Sequence, residues 1–289
     1  MAGNRVRSPL IAFAHLPKTA GQLVRLLFRR HFGLQHLDVE HRYSFNYGPN
    51  DLRCDLRLYP RARSLAGHPL KAWVDFGEFQ DRLAWFTYLR DPVSRYISQY
   101  FFDIEVMKRR MDVPTWIRQA DRGNMQVWYL AGTEDVEAAK KVLLGMRAVG
   151  LMEHFNESLL IIRSRLGLDG FDLSYDRPKN VGTERKGLDR TAVKKEFKAY
   201  GNEIRERNKL DIELYEFAVR EIWPREVADY GPDRIEADLQ TEFRVEGRHP
   251  GHWCRWWASY AYRNAVYKPF VALDRVLHRQ PGPPPGPKD

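Results

Sequence analysis

Short apolar runs alternate along this chain with longer stretches whose apolar residues recur at helical spacing. Leu10 to Ala14 (LIAFA) reads as a buried strand. His15 to Thr19 interrupts it, and Ala20 to Phe32 resumes as a helix with Leu23, Leu26 and Leu27 on one face and Arg25, Arg29 and Arg30 on the other. Gly33 is placed to cap it. Arg63 to Gly67 predicts a short strand, and Leu83 to Leu89 (LAWFTYL) is the clearest central strand. Asp91-Pro92 then opens a helix, since Asp suits the N-cap and Pro the first helical position. Val93, Ile97, Tyr100, Phe101 and Ile104 continue it. Further helices are predicted over 113–120, 125–130 and 134–144, the last capped by Thr133. A strand follows over 149–152, a helix over 156–166, and one or two long helices over 189–223 with a break near Gly201. Gln35 to Pro60 is polar and reads as a surface insertion, and Phe76 to Asp81 as a loop or helical turn. Strands alternating with helices predict an α/β fold, a parallel sheet covered on both faces.

Composition narrows the picture. A chain of 289 residues, 43% hydrophobic and 13% aromatic, can bury one sizeable core. Its formal charge of +9 suggests an anionic partner: nucleotide, acidic glycan, nucleic acid or membrane surface. Cys54 and Cys254 make neither a disulfide framework nor a metal cluster, which favours a reducing compartment. With no signal-peptide pattern at the N-terminus and no run near the roughly 18 apolar residues of a membrane span, a cytoplasmic location is expected.

Three places carry candidate chemistry. In HLPKTAG, the turn between the first strand and helix, the helix N-terminus offers unpaired N–H groups and a positive dipole end. Ala20 and Gly21 are small enough to let a phosphate approach, and Lys18 adds a mobile charge. In LRDPVSRYISQY, Arg90 stands at the carboxyl end of a strand, where open α/β sheets bind ligands. Ser98 lies about two helical turns after Asp91, near the same face. An arginine fork and a hydroxyl together clamp a terminal phosphate. His68, in SLAGH, directly follows the second predicted strand and has an unperturbed pKa suited to general-base work.

This set resembles the sulfotransferases that use 3′-phosphoadenosine 5′-phosphosulfate (PAPS), in particular the carbohydrate-active branch that includes heparan sulfate 2-O-sulfotransferase. The likeness runs from about Leu10 to Trp223 and includes QVWYLAG (Gln126–Gly132), VGLMEHFNESL and a basic loop ending at Lys186. It implies a P-loop-like three-layer fold, with a central parallel sheet flanked by helices, over residues 1–225. It assigns the 5′-phosphosulfate to Lys18, Thr19, Ala20 and Gly21, with the Gln22 amide either supplying a further phosphate contact or leaving it unmade, and the 3′-phosphate to Arg90 and Ser98. It gives Lys186 a place in a loop closing over the nucleotide, and makes His68 and Lys18 catalytic. The implied reaction is metal-free O-sulfation of a carbohydrate or glycolipid. Two positions depart from the pattern. Gln22 stands where many relatives have Ser or Thr, and Ala66 where the 2-O-sulfotransferases have a histidine, which weakens the link to their uronic-acid substrate.

Two other readings compete. A P-loop phosphotransferase would need G-x-x-x-x-G-K-[ST], whereas here the lysine precedes the glycine. A non-catalytic basic module binding an acidic polymer fits the charge, but no nucleic-acid-binding signature is present, and no nucleic-acid partner is expected. Arg95 reads as a solvated or salt-bridged residue; Asp103 and Glu105 are alternative candidates for the base but read first as exposed helix charges. Residues 226–289 read as a C-terminal helical extension ending in a disordered Pro/Gly-rich tail. From Trp253 to Arg279 aromatic and basic residues interleave, and Pro269 should interrupt or kink the helix. This segment either packs its aromatic face on the domain or attaches peripherally to an anionic membrane.

Overall fold

The computed structural model describes residues 9–40, 46–119, 122–175, 189–243 and 250–277. A five-stranded, all-parallel sheet lies at its centre: β1 (Leu10–Ala14), β2 (His36–Asp38), β3 (Ser64–Gly67), β4 (Leu83–Leu89) and β5 (Ala148–Leu151). The spatial order is β2-β3-β1-β4-β5, so β1 is central and the topology reverses at it. Ala14 pairs with Gly67 on one side and Thr87 on the other, which brings the carboxyl ends of β3, β1 and β4 to one level. The Thr87 hydroxyl donates to the Ala14 carbonyl at 2.8 Å.

The period-two alternation of the strands divides the core between two faces. Leu10, Ala12 and Ala14 share one face with Leu83, Trp85 and Leu89. Ile11 and Phe13 share the other with Phe86 and Tyr88. In chain order the helices are α1 (Gly21–Phe32), α2 (Pro49–Leu58), α3 (Pro92–Glu105), α4 (Val113–Gln119), α5 (Met125–Ala131), α6 (Val136–Leu144) and α7 (Phe155–Arg165). There follow α8 (Arg190–Ala199), α9 (Gly201–Arg207), α10 (Lys209–Phe217), α11 (Trp223–Tyr230), α12 (Pro232–Thr241), α13 (Pro250–Tyr262) and α14 (Lys268–Leu277). The first face is covered by α2, α5, α6 and α10, the second by α1, α7, α11 and α12. A third cluster, outside the sheet, gathers Tyr96, Tyr100 and Phe101 of α3 with Trp116 of α4, Phe197 of α8 and Ile204 of α9.

The polar stretch 35–60 is not merely an insertion, because it supplies the edge strand β2 and the helix α2. Polar residues hid β2: His36 and Asp38 are buried there, held by Ser64, Arg25 and Arg29. The cap of α6 is Asp135, whose carboxylate accepts from the Ala138 N–H, rather than Thr133. Residues 189–223 break twice, at Tyr200 and Asn208, into three helices. Neither Pro224 nor Pro269 ends its helix. Each is preceded by a wide π-helical segment, 218–222 and 263–267, which fits with loosened packing just before a ring that cannot donate a hydrogen bond. Among the described residues no helix is long and apolar enough to cross a membrane.

Candidate functional site

The site starts from the turn between β1 and α1. β1 is buried throughout, and beyond it the chain reverses through left-handed backbone at Lys18 (φ 68°) and Ala20 (φ 60°). For side chains with a Cβ this conformation costs about 1–2 kcal/mol per residue. Two such residues within three positions turn the loop tightly enough to aim the start of α1 across the end of β1. Thr19, between them, is fully buried, and its hydroxyl donates to the Leu16 carbonyl at 2.9 Å. Its side chain therefore holds the turn, while Ala20 stays half-exposed and Gln22 exposed. Among the described residues no side chain caps α1, and its first turn holds no acidic residue. The Leu23 N–H turns back to the Ala20 carbonyl at 2.9 Å, and the positive dipole end of the helix has no acid of its own first turn against it.

Gly21 has a packing reason of its own. A Cβ there would lie 1.8 Å from His15 Nε2, so the space beside the helix start belongs to the His15 ring. His15 is buried, and its ring stacks on that of His68 with centroids 4.0 Å apart. Burial first, and then the electrostatic influence of His68 and of the Arg25 guanidinium, hold its pKa well below the ordinary histidine value. The His15 carbonyl in turn accepts from His68 Nδ1 at 3.0 Å. A carbonyl can only accept, so Nδ1 carries the proton and Nε2 is the basic nitrogen of neutral His68.

Arg90 enters from the opposite neighbour of β1. One of its guanidinium nitrogens donates to the Lys18 carbonyl at 3.0 Å, tying the end of β4 to the turn after β1. Burial pulls its pKa down while Glu153 and Asp91 oppose the shift, and a guanidinium stays charged under both influences. Asp91 caps α3 by accepting from the Ser94 N–H at 2.8 Å. Lys18 Nζ lies 4.6 Å from the centre of the Phe102 ring on α3. Ser98, half-buried, is one turn before Phe102 and so shares the face of α3 that meets the Lys18 turn.

The fold thus draws 15–22, His68, Arg90 and Ser98 together at the carboxyl edge of three adjacent strands. Lys186 lies outside the described residues.

Sequence reasoning missed the layer that holds Arg90. The Gln126 amide accepts from the Arg90 N–H at 3.0 Å and donates to the Arg90 carbonyl at 2.9 Å. The buried Asp211 carboxylate on α10 accepts from the N–H groups of Gln126 (3.1 Å) and Val127 (2.8 Å). Asn124 returns the arrangement, accepting from Leu210 and Asp211. Two helix N-termini therefore cap each other. Arg95, the salt-bridged alternative of the sequence reading, is fully buried rather than solvated: it lies 3.7 Å from Asp211 and donates to the Arg122 carbonyl at 2.7 Å. Burial raises the pKa of Asp211, and Arg95 opposes that shift.

Asp103 and Glu105 are not exposed charges. Asp103 is buried and accepts from Gln99 (2.9 Å) and Trp116 (3.0 Å), while the Arg190 guanidinium clamps Glu105. The outer layer of α4 and α8 covers that side of α3, and no periodicity in α3 itself announces it.

No protein-family model matches the chain, and no curated protein sequence matches it at a significant level.

Proposed function

We propose that the chain is a PAPS-dependent O-sulfotransferase with a P-loop-like fold, acting on a hydroxyl of a carbohydrate or glycolipid. The observation that carries the reading is the convergence of Lys18, His68 and Arg90 on the ends of three neighbouring strands, although 72 positions separate the first from the last. The donor set suits a doubly anionic nucleotide. The uncapped N-terminus of α1 and Lys18 form one cationic pole, and Arg90 with Ser98 forms a second on the adjacent strand and helix.

When bound, PAPS supplies an activated sulfuryl group and a phosphate leaving group. Lys18 and the N–H groups of Ala20, Gly21 and Gln22 hold its phosphosulfate end, and Thr19 keeps the turn in shape. Arg90 and Ser98 hold the 3′-phosphate. His68 Nε2 takes the proton of the acceptor hydroxyl, because the His15 carbonyl keeps the other ring proton on Nδ1. Lys18 and the helix dipole stabilise the charge that develops on the leaving oxygen.

The test is transfer of labelled sulfuryl from PAPS to a panel of carbohydrates and glycolipids by the full chain. Labelled product that Lys18→Ala abolishes supports the reading. Absence of transfer from PAPS, combined with phosphoryl transfer from ATP, would replace it with a phosphotransferase.

A further inference from the structure

The C-terminal helical segment 250–277 runs along the outer edge of the sheet. Arg255 donates to the His31 carbonyl at the end of α1, and Tyr262 donates to the Leu58 carbonyl at 2.8 Å. Arg263 pairs with Glu40 and approaches Asp38 to 3.8 Å, and the Tyr267 hydroxyl donates to Asp55 at 2.8 Å. Ser259, Tyr267 and Val271 are buried on this inner side. The segment passes from the region before β2 to the region after it, so α14 lies toward the edge of the sheet that carries His68 and Arg90.

Its outer side carries exposed apolar residues from one end to the other. Trp253, Trp257, Tyr260, Val266, Phe270, Leu273, Val276 and Leu277 are between 39% and 70% exposed. At about 150–250 Å² per aromatic side chain, the four exposed rings alone present on the order of 300–450 Å². That is already the size of the largest apolar patch on an ordinary monomer, before the aliphatic residues are added. The exposed charged residues from 253 to 277 are Arg255, Lys268 and Arg275, all cationic. The segment's single acidic residue, Asp274, is half-buried.

We propose that this face seats the protein on an anionic lipid surface. Two observations select a bilayer over a protein partner. Tryptophan and tyrosine favour the bilayer interface, and the interleaved charge is of one sign, complementary to anionic headgroups. The inner side is fixed to the domain by ion pairs and buried tyrosine, so the helix lies flat on the lipid and does not insert across it. The inference does not depend on the enzymatic reading.

The experiment is co-sedimentation of the full chain with vesicles of phosphatidylcholine alone or with added phosphatidylserine, together with tryptophan quenching by brominated lipid. A variant carrying Trp257→Ser, Leu273→Ser and Leu277→Ser changes only exposed side chains. Its thermal midpoint and its sedimentation in the absence of lipid are measured beside the parent. The proposal predicts at least tenfold more binding to the anionic vesicles, quenching by brominated lipid, and at least a tenfold loss of binding in the triple variant with the fold intact. It is overturned if the parent chain ignores anionic vesicles and its tryptophans escape quenching. It is equally overturned if the triple variant binds like the parent, or if the parent is a dimer that the triple variant dissociates, which would assign the face to a second copy of the chain.

Discussion

The imidazole of His68 lies on that of His15, 24° from parallel, and donates its Nδ1 proton to the backbone carbonyl of the residue it stacks on. One residue thus sets both the plane and the tautomer of the other. The two come from the ends of neighbouring strands, so the pair is as rigid as the β1–β3 ladder that carries it.

The first prediction concerns that ring. His68→Ala should lower turnover by about 10²-fold or more, the scale of general acid–base groups, while adenosine 3′,5′-bisphosphate still binds. Steady-state kinetics and calorimetry on the same variant check it. Turnover close to the parent value would make His68 a packing residue.

The second concerns acid stability. His15 and His36 are buried with pKa values lowered chiefly by desolvation. The unfolded chain therefore takes up protons near pH 6.5 that the native rings refuse. Their neutrality supports folding fully above that pH, and the support is lost as pH falls below it. Each contributes a slope of up to about 1.4 kcal/mol per pH unit. Urea denaturation of the parent between pH 7 and 5 should show falling stability, and His15→Leu should flatten part of the slope.

The third concerns Gly21. A methyl group there meets the His15 ring, so Gly21→Ala should cost about 1–3 kcal/mol or more by overpacking. It should also displace His15 and with it His68. Chemical denaturation measures the first effect, and turnover at saturating cofactor the second.

Much of this was legible in the sequence, and the limits have physical causes. β1, β4, the Asp91-Pro92 cap and the Gly33 stop follow from local periodicity and capping chemistry, which act within a few residues. Gly33 does sit at φ 55° with its N–H donating to the Arg29 carbonyl. β2 was hidden because its polar residues are satisfied by side chains from α1 and β3, partners that a pattern read along one strand does not contain. The burial of Arg95 and Asp103 was hidden for the same reason. His15 looked like a strand terminator, and only the sheet order that sets β3 beside β1 reveals its contact with His68. The three motif segments could be named from the chain, but their convergence depends on which strands are neighbours.

The fourth prediction concerns the hidden support. Gln126→Ala removes both hydrogen bonds to the Arg90 peptide and should destabilise the protein by about 1–3 kcal/mol. Because Gln126 positions Arg90, affinity for adenosine 3′,5′-bisphosphate should fall as well, whereas a purely structural role would leave the affinity of the folded fraction unchanged. Calorimetry below the unfolding transition separates the two.

The central claim is that the turn after β1 and the end of β4 form one nucleotide site, and calorimetric titration of the full chain with adenosine 3′,5′-bisphosphate tests it most directly. The account predicts saturable one-site binding for the parent, with ATP binding far more weakly. Arg90→Ala and Lys18→Ala should each weaken the affinity about tenfold or more, since each removes a charge-assisted contact of about 1.5–3 kcal/mol. Undetectable binding by the parent, or an affinity that Arg90→Ala leaves unchanged, would contradict it.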